Sequence, residues 1–330
     1  MAVGHDAAVA RRRSPAQLAA RDHSMNLASL DEPPAYGRRR EAPLITFGIP
    51  AYQRPELLHE TLASLIRQTG GHDFEVVVCD DGGLPATARV VAEFPADRFS
   101  LYLNQPALGG VGNWNRCLQR ARGRWVMILH EDDLLYPWYL DTVVPRLCAG
   151  ASAVCTRVVQ GAAPPLLAPP AGRPAVRRYL PLYFIKSSFT PFPGVLFPGE
   201  LGRRLGGFDA RHGPLADYEF WYRLACAGRV EVVRQVAAFY RTSPDQWTAR
   251  DWPAMIRQVH LLRRQVALQQ LGRRPLAFWL ARFFSYRDAR AYARRFPGRP
   301  ASLQRVLGFR RIPLSGLPSG WVWQLLKLLA

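Results

Sequence analysis

The sequence predicts an α/β protein built on a mostly parallel sheet flanked by helices, with a basic helical extension at its C-terminal end. Three observations lead there. Between residues 44 and 133, short apolar runs alternate with segments of helical period four times, the pattern of successive β-α units joined by right-handed crossovers. Three of the four runs end in polar, glycine-rich or acidic residues, so these loops gather on the edge of the sheet where open α/β sheets bind ligands. Charge is the third. Residues 251–330 carry 15 basic residues against 2 acidic ones, whereas 43–250 carry 22 against 18 and 1–42 carry 7 against 5. Most of the net charge of +19 therefore lies in the extension.

The elements follow in order. Residues 44–50 are apolar and close on Pro50, a buried strand. The loop Ala51-Tyr52-Gln53-Arg54 leads to a helix opened by Pro55, with Leu57, Leu58, Leu62, Leu65 and Ile66 at helical spacing and Gly70-Gly71 as its stop. A second strand over 74–79 ends in Asp80-Asp81-Gly82-Gly83, and a helix spans 85–94. A third strand at 99–103 precedes Asn104 and the loop Gly109-Gly110-Val111-Gly112, and a helix over 113–121 ends at Gly123.

The next stretch organises the chain. Trp125-Val126-Met127-Ile128-Leu129 reads as a strand buried on both faces, and it runs into His130-Glu131-Asp132-Asp133. Three neighbouring carboxylates repel one another unless a cation sits among them. The alternative is a solvated turn, with Asp133 capping a helix over 134–147. Beyond it the sequence predicts a strand at 153–159, a mobile Pro/Ala-rich loop at 161–174, a strand at 192–197 and a short helix at 200–205. Gly206-Gly207-Phe208-Asp209 is a turn, Asp217 begins a helix that Gly228 ends, and 230–240 is the last strand.

Residues 1–42 show no sustained period and are expected to be a disordered tail, with Met25 an alternative start. Residues 43–250 form the main domain. The extension, 251–330, opens with a helix capped by Asp251, carrying Met255, Val259, Leu262 and Val266 on one face and ending at Gly272. A second helix over 275–296 combines Phe278, Trp279, Phe283 and Phe284 with Arg287, Arg290 and Arg294. The segment 321–329 is short and amphipathic.

The five cysteines, Cys79, Cys117, Cys148, Cys155 and Cys226, include no CxxC pair, which argues against a disulfide framework or a zinc site and for a reducing compartment. Arg11-Arg12-Arg13 has no apolar stretch behind it, so no secretory signal is expected. No run approaches the roughly 18 apolar residues of a membrane span. The basic extension admits an anionic membrane surface, where each Lys or Arg contributes about 1 kcal/mol, or solvated helix faces. Nucleic acid is disfavoured, because no binding motif accompanies the arginines.

Five features in order, Pro50-Ala51-Tyr52-Gln53-Arg54, Asp80-Asp81-Gly82, the glycine loop from Asn104 to Asn115, His130-Glu131-Asp132-Asp133, and Gly207-Phe208-Asp209 followed by Asp217-Tyr218-Glu219-Phe220-Trp221, resemble a family 2 glycosyltransferase of the GT-A fold over residues 43–245. The resemblance implies an inverting transferase that moves a sugar from a nucleoside-diphosphate sugar to an acceptor hydroxyl, in bacterial envelope or capsular glycan synthesis. The acceptor would be a glycan or a lipid-linked sugar, and the enzyme cytoplasmic, peripheral to the inner face of the membrane. It further implies that Asp132 contacts a divalent cation, Mg²⁺ or Mn²⁺, which stabilises the departing diphosphate. His130 stands where the family has its first aspartate. His130 or Glu131 would face the ribose, or His130 is a structural strand-end residue. Asp81 would contact base or ribose, or serve as a turn-forming Asp-Gly. Pro50 and Tyr52 would shape the pocket, Arg54 approach phosphate or solvent, and Asn115 reach the donor. The glycine loop would offer backbone N–H groups to an anion, or be simply flexible.

Asp217 is the expected base, taking the acceptor proton as its oxygen attacks the anomeric carbon. The family's Glu-Asp pair reads Ala216-Asp217 here, and Asp217 could equally cap its helix; the helix dipole would lower its pKa. Trp221 and Arg223 read as helix packing and surface. The histidine many relatives carry after the last strand is absent from Tyr240-Arg241-Thr242-Ser243-Pro244-Asp245-Gln246-Trp247; Arg241 neutralising phosphate, or Asp245 supplying an oxygen, would replace it. Of two rivals, a nucleotidyltransferase needs a glycine-rich phosphate loop that Ala51-Tyr52-Gln53-Arg54 does not provide. The other is a non-catalytic membrane- or nucleic-acid-binding protein on a decayed transferase scaffold.

Overall fold

The computed structural model describes residues 33–38, 40–188, 191–243, 252–272 and 275–295, with Val322 and Gln324. Three β-α units and a fourth strand open the described part of the chain. Strand β1 (Ile45–Ala51) leads to α1 (Pro55–Ile66), β2 (Phe74–Asp80) to α2 (Pro85–Ala92), and β3 (Phe99–Leu103) to α3 (Gly110–Arg120), with β4 (Trp125–Ile128) last. These strands are parallel, in the order β3-β2-β1-β4. Consecutive connections thus run outward from β1 on one side and to β4 on the other. The crevice between the C-terminal ends of β1 and β4 is the topological switch point, where such sheets place their ligands. Every residue of β2 and β4 is buried; the run of β4 is apolar throughout, and in β2 the buried Glu75 accepts the Thr46 hydroxyl at 2.6 Å. Gly48 lets α3 lie close on β1: a Cβ there would sit 2.7 Å from Cys117 Cβ.

The sheet continues through antiparallel β8 (Val195–Pro198) to β6 (Ala151–Gly161), β9 (Arg229–Arg241) and the short β5 (Leu134–Leu135), with β7 (Val176–Tyr179) also on β9. Helices α4 (Tyr139–Val143), α5 (Gly199–Arg204) and α6 (Ala216–Ala227) complete this half, with 3-10 turns at Val144–Arg146, Pro181–Ile185 and Ala210–Leu215. Two apolar clusters cover the two faces of the sheet. One holds Val76, Val78, Phe47 and Met127 with α1 and α4 residues, the other Val77, Cys79, Val126 and Ile128 with α3 and α6. Alternate residues of one strand feed opposite clusters, as the pleat dictates.

Three expectations change. The helix over 134–147 is not formed. Leu134 and Leu135 pair with Phe239 and Ala238 of β9, Pro137 interrupts the segment, and only Tyr139–Val143 is α-helical. Order begins before residue 43: Tyr36 bridges to Leu101 on the β3 edge, and its hydroxyl donates to Phe94 O at 2.9 Å. That covers an edge strand whose unpaired groups need partners. Residues 1–32 lie outside the described residues. Strand β7 and the 3-10 turn Pro181–Ile185, unmarked by any clean period, lie between the Pro/Ala-rich loop and the strand expected at 192–197. The helices of the extension cover part of the core. These are α7 (Trp252–Leu271) and α8 (Pro275–Arg295), which carry Met255, Val259, Leu262, Val266, Phe283 and Phe284 into the cluster that contains Tyr218, Trp221 and Tyr222 of α6. Asp245, Asp251 and most of segment 321–329 lie outside the described residues.

Candidate active site

The acidic stretch turns at the C-terminal end of β4, and the neighbouring elements fix it atom by atom. Across the switch-point crevice, the Tyr52 N–H donates to Glu131 Oε2 at 2.8 Å. Arg54 pairs with Asp132 Oδ2 at 2.8 Å. From beneath, the Thr61 hydroxyl of α1 lies 2.8 and 2.9 Å from the carbonyls of Glu131 and Asp133. From the β9 side, the Arg241 N–H donates to Asp133 Oδ1 at 3.0 Å, and its Nε donates to Asp132 O at 2.9 Å. Thr61 was not singled out from sequence; its one signal is a hydroxyl on the apolar face shared by Leu58, Leu62 and Leu65.

Among the described residues, His130, Asp132 and Asp133 form one group whose candidate ligand atoms all lie within 4.8 Å of one another. Asp133 is fully buried, and its Oδ2 has no hydrogen-bond partner; neither does His130 Nε2. Orphaned polar atoms of this kind are uncommon and call for a ligand. Imidazole nitrogen with carboxylate oxygens suits a divalent cation such as Mn²⁺. Electrostatics agree. Burial raises Asp133 well above the usual carboxylate range, with the charge of Asp132 adding to it. Burial also lifts Glu131 to about 7 and holds His130 below the usual histidine value. Each is a desolvated group whose metal-binding form a nearby cation would favour. The His130 ring is fixed among aromatics, 4.2 Å from Phe192 and 5.4 Å from Trp114 between centroids, so it has both a structural setting and a free nitrogen edge.

Asp81 answers the question of the glycine loop. Its Oδ1 accepts from Leu108 N at 2.8 Å and from Asn104 Nδ2 at 2.9 Å, and its Oδ2 accepts from Gly109 N at 2.7 Å. The anion facing these loop N–H groups is the protein's own carboxylate. Asn113, buried in the first turn of α3, donates to Cys79 O and ties this loop to the end of β2. Asn115 departs from expectation. Its amide donates to Phe208 O and accepts from Phe208 N, both at 2.8 Å, so it clamps the Gly207-Phe208 turn rather than pointing its polar atoms at a donor. Arg223 holds the same turn from α6 through Leu205 O and Gly207 O, a packing role as anticipated. Tyr52 is half exposed (54%) beside the crevice, and Pro50 lies partly buried in β1.

Asp217 sits in the first turn of α6. Burial lifts its carboxyl to about 6, against the lowering effect of the Tyr218 N–H, which it accepts at 2.6 Å. Desolvation outweighs the helix-terminus effect expected from sequence, and the group is a better base for it. Tyr240, at the end of β9, links the two halves. Its hydroxyl is pushed up by burial and then by the carboxylates of Asp133, Asp217 and Asp132, with Tyr292 of α8 also close. Arg241 follows Tyr240 at the end of β9. Its guanidinium bonds Glu60 at 2.5 Å and Ala162 O at 3.3 Å as well as Asp132 O, bracing the acidic loop from outside.

A profile described as Glycosyl transferase family 2 matches residues 46–199, which takes in β1, the Asp80-Asp81 turn and the acidic loop. An uncharacterized protein of Mycobacterium tuberculosis is 30% identical over 253 residues, 71% of this chain and 77% of that protein. The chain belongs to glycosyltransferase family 2. A UDP-Glc:alpha-D-GlcNAc-diphosphoundecaprenol beta-1,3-glucosyltransferase of Escherichia coli, WfgD, is 32% identical to the transferase over 91 residues, 28% of this chain and 36% of that one. The chain thus spans about a third of that relative's length. Among solved structures, S. aureus TarS 1-349 in complex with UDP-GlcNAc superposes with a TM-score of 0.58 at 15% identity, covering 79% of this chain and 77% of that one. A mannosyltransferase from Pyrobaculum calidifontis in complex with GDP-Man and Mn2+ gives 0.52 at 19%, covering 91% and 88%. These likenesses establish the GT-A fold of the transferase, with its C-terminal helices in place. No helix among the described residues is long and apolar enough to cross a membrane.

Proposed function

We propose that this transferase moves a sugar from a nucleoside-diphosphate sugar to an acceptor hydroxyl with inversion of configuration, and that Asp217 is its base. The observation that carries this reading is the group of His130, Asp132 and Asp133 at the end of β4, whose candidate ligand atoms lie within 4.8 Å of one another, and the charges of Asp133, Asp217 and Asp132 acting together on Tyr240 support placing the base near it. The Asp217 carboxylate takes the proton of the acceptor hydroxyl while that oxygen forms its bond to the anomeric carbon. The bond to the diphosphate oxygen breaks in the same displacement, and the diphosphate leaves with the electron pair. Asp132, joined by His130 and Asp133, would hold Mg²⁺ or Mn²⁺; when bound, such an ion neutralises charge on the leaving group.

Pro50, Tyr52 and Asp81 line the nucleotide side in this reading, Glu131 and His130 face the ribose, and Arg54 faces the diphosphate. The names of relatives support an acceptor in bacterial envelope glycan synthesis, glycan or lipid-linked. Exposed Arg257, Arg264, Arg282, Arg287, Arg290 and Arg294 on α7 and α8 support a peripheral position on an anionic membrane surface. Calorimetric titration with UDP, GDP and dTDP, with and without Mn²⁺, on the wild type and Asp132→Ala tests the donor site. Metal-dependent binding of one nucleotide, lost in the variant, is expected; binding of none would overturn the reading. Asp217→Asn should keep that binding and abolish transfer.

A further inference from the structure

We infer that Arg263, on α7 in the basic extension, is a positioning residue for Asp217, acting through Tyr218. The inference rests on Asp217 being the base. Arg263 is 2% exposed, on a helix face otherwise made of Val259, Leu262 and Val266. Its Nη2 donates to Asp288 Oδ2 of α8 at 2.5 Å and to Lys186 O at 2.6 Å, just past the 3-10 turn Pro181–Ile185. Its Nη1 lies 3.4 Å from Ser285 Oγ. The Tyr218 phenol donates to Phe184 O in that 3-10 turn, two residues from the Lys186 carbonyl that Arg263 holds, and the Arg263 charge acts on it. Tyr218 follows Asp217 directly, and its N–H holds Asp217 Oδ1 at 2.6 Å. One buried cation thus ties α8 to the segment on which the first turn of α6 is anchored through Tyr218.

A buttress that only filled space would be better served by an apolar side chain of similar volume, because a buried ion pair gains little over one. The fork of a guanidinium reaches several acceptors in fixed directions, which neither Lys nor Met reproduces. What the arrangement fixes is where α6 begins, and so where the Asp217 carboxylate stands. For a base this matters: a displacement of about 1 Å costs on the order of 100-fold in rate. The family profile ends at residue 199, so neither partner lies in the segment it describes.

The test uses the full chain with Arg263→Met, Tyr218→Phe and the double variant. Tyr218→Phe removes only a hydroxyl, so it keeps the test usable if Arg263→Met fails to fold. Turnover is measured with Mn²⁺ and UDP-glucose, UDP-N-acetylglucosamine or GDP-mannose as probes, alongside nucleotide binding. The Asp217 carboxyl is titrated by carbon NMR and assigned with Asp217→Asn; Tyr218 and Tyr240 are the titratable groups beside it. Each single variant should lower kcat by at least about tenfold with nucleotide affinity unchanged, and the double variant should lose no more than the worse single one. The Asp217 titration should move toward the ordinary carboxylate range as its surroundings loosen. An unchanged Asp217 titration, with activity reduced only in proportion to the folded fraction, would overturn the inference. A titration that moves in both single variants of a chain that turns over none of the probes would uphold Arg263 as the positioning residue and remove the base role of Asp217.

Discussion

The guanidinium of Arg54 lies 2.8 Å from Asp132 Oδ2 and joins the loop after β1 to the loop after β4. The same carboxylate belongs to the group with His130 and Asp133, so a divalent cation held there, as proposed, would compete with the guanidinium for one partner. Arg54 is 43% exposed at its side chain, free to swing away, whereas Asp132 at 15% is held. Arg54→Met should therefore raise the affinity of the nucleotide-free protein for Mn²⁺ by about three- to tenfold, since an exposed pair of this kind contributes about 1 kcal/mol. Electron paramagnetic resonance of free Mn²⁺ measures this without any turnover. In the presence of Mn²⁺ the variant should bind nucleoside diphosphate more weakly, because the proposed reading has the Arg54 charge facing the phosphates. Unchanged Mn²⁺ affinity would show that the pair does not guard the site.

Glu131 gives the site a pH signature in stability. Its carboxyl is lifted from 4.5 to about 7 in the folded protein, chiefly by burial. A raised carboxyl pKa means that the folded state holds the proton more tightly than the unfolded one. The stability it contributes is full below about pH 4.5 and is lost as pH rises through 7. His260, lowered to about 4, and His130, also lowered, act with the opposite sign in the same window. The total profile therefore mixes both, and the informative quantity is the difference between wild type and Glu131→Gln. A glutamine still accepts the Tyr52 N–H but does not titrate. Glu131→Gln should gain on the wild type by roughly 3 kcal/mol between pH 4.5 and pH 7.5, read from denaturant unfolding of the metal-free proteins. A difference independent of pH would mean that Glu131 is hydrated as an ordinary surface acid.

How much of this was legible in the sequence depends on how local the determinant is. The first three β-α units and the fourth strand were, because each strand and helix is announced by its own period and closed by its own glycine or proline. Burial of β4 on both faces followed from a run without polar interruption, whereas β2 also buries Glu75 against the Thr46 hydroxyl. Leu134 and Leu135 were misread because what decides their state is β9, about a hundred residues further on; only Pro137 argued locally against a helix. The order at Tyr36 depends in the same way on the β3 edge. In the site, the acidic stretch and Asp217 could be named from motif order, but their meeting at Tyr240 is a product of the sheet topology. The direction of the Asp217 shift was inverted because a helix terminus is visible in sequence and desolvation is not. Asn115 was assigned outward because nothing local says that Phe208 will present both a free N–H and a free C=O to it.

Arg241 separates two ways in which a cation can serve a diphosphate site. One of two residues, with Asp245, that the sequence offers in place of the family's histidine, it donates to Glu60 Oε2, Asp132 O and Ala162 O, and packs over the Phe239 ring. These bonds predict that its effect on the nucleotide passes through the shape of the acidic loop. Arg241→Lys keeps the charge and the backbone bond to Asp133 Oδ1, but a single ammonium cannot hold partners on three segments. The loop should loosen, and the His130, Asp132 and Asp133 atoms should spend less time within reach of one cation. We expect Mn²⁺-dependent nucleotide binding to weaken by about tenfold, with a loss of about 1–2 kcal/mol in stability. Nucleotide binding measured without metal should stay as it is. If Arg241 met the phosphates directly, Arg241→Lys would leave both nearly intact, and Arg241→Met would weaken binding equally with and without metal. Calorimetry on the two variants, each with and without Mn²⁺, decides between bracing and contact, because only bracing makes the loss depend on the ion.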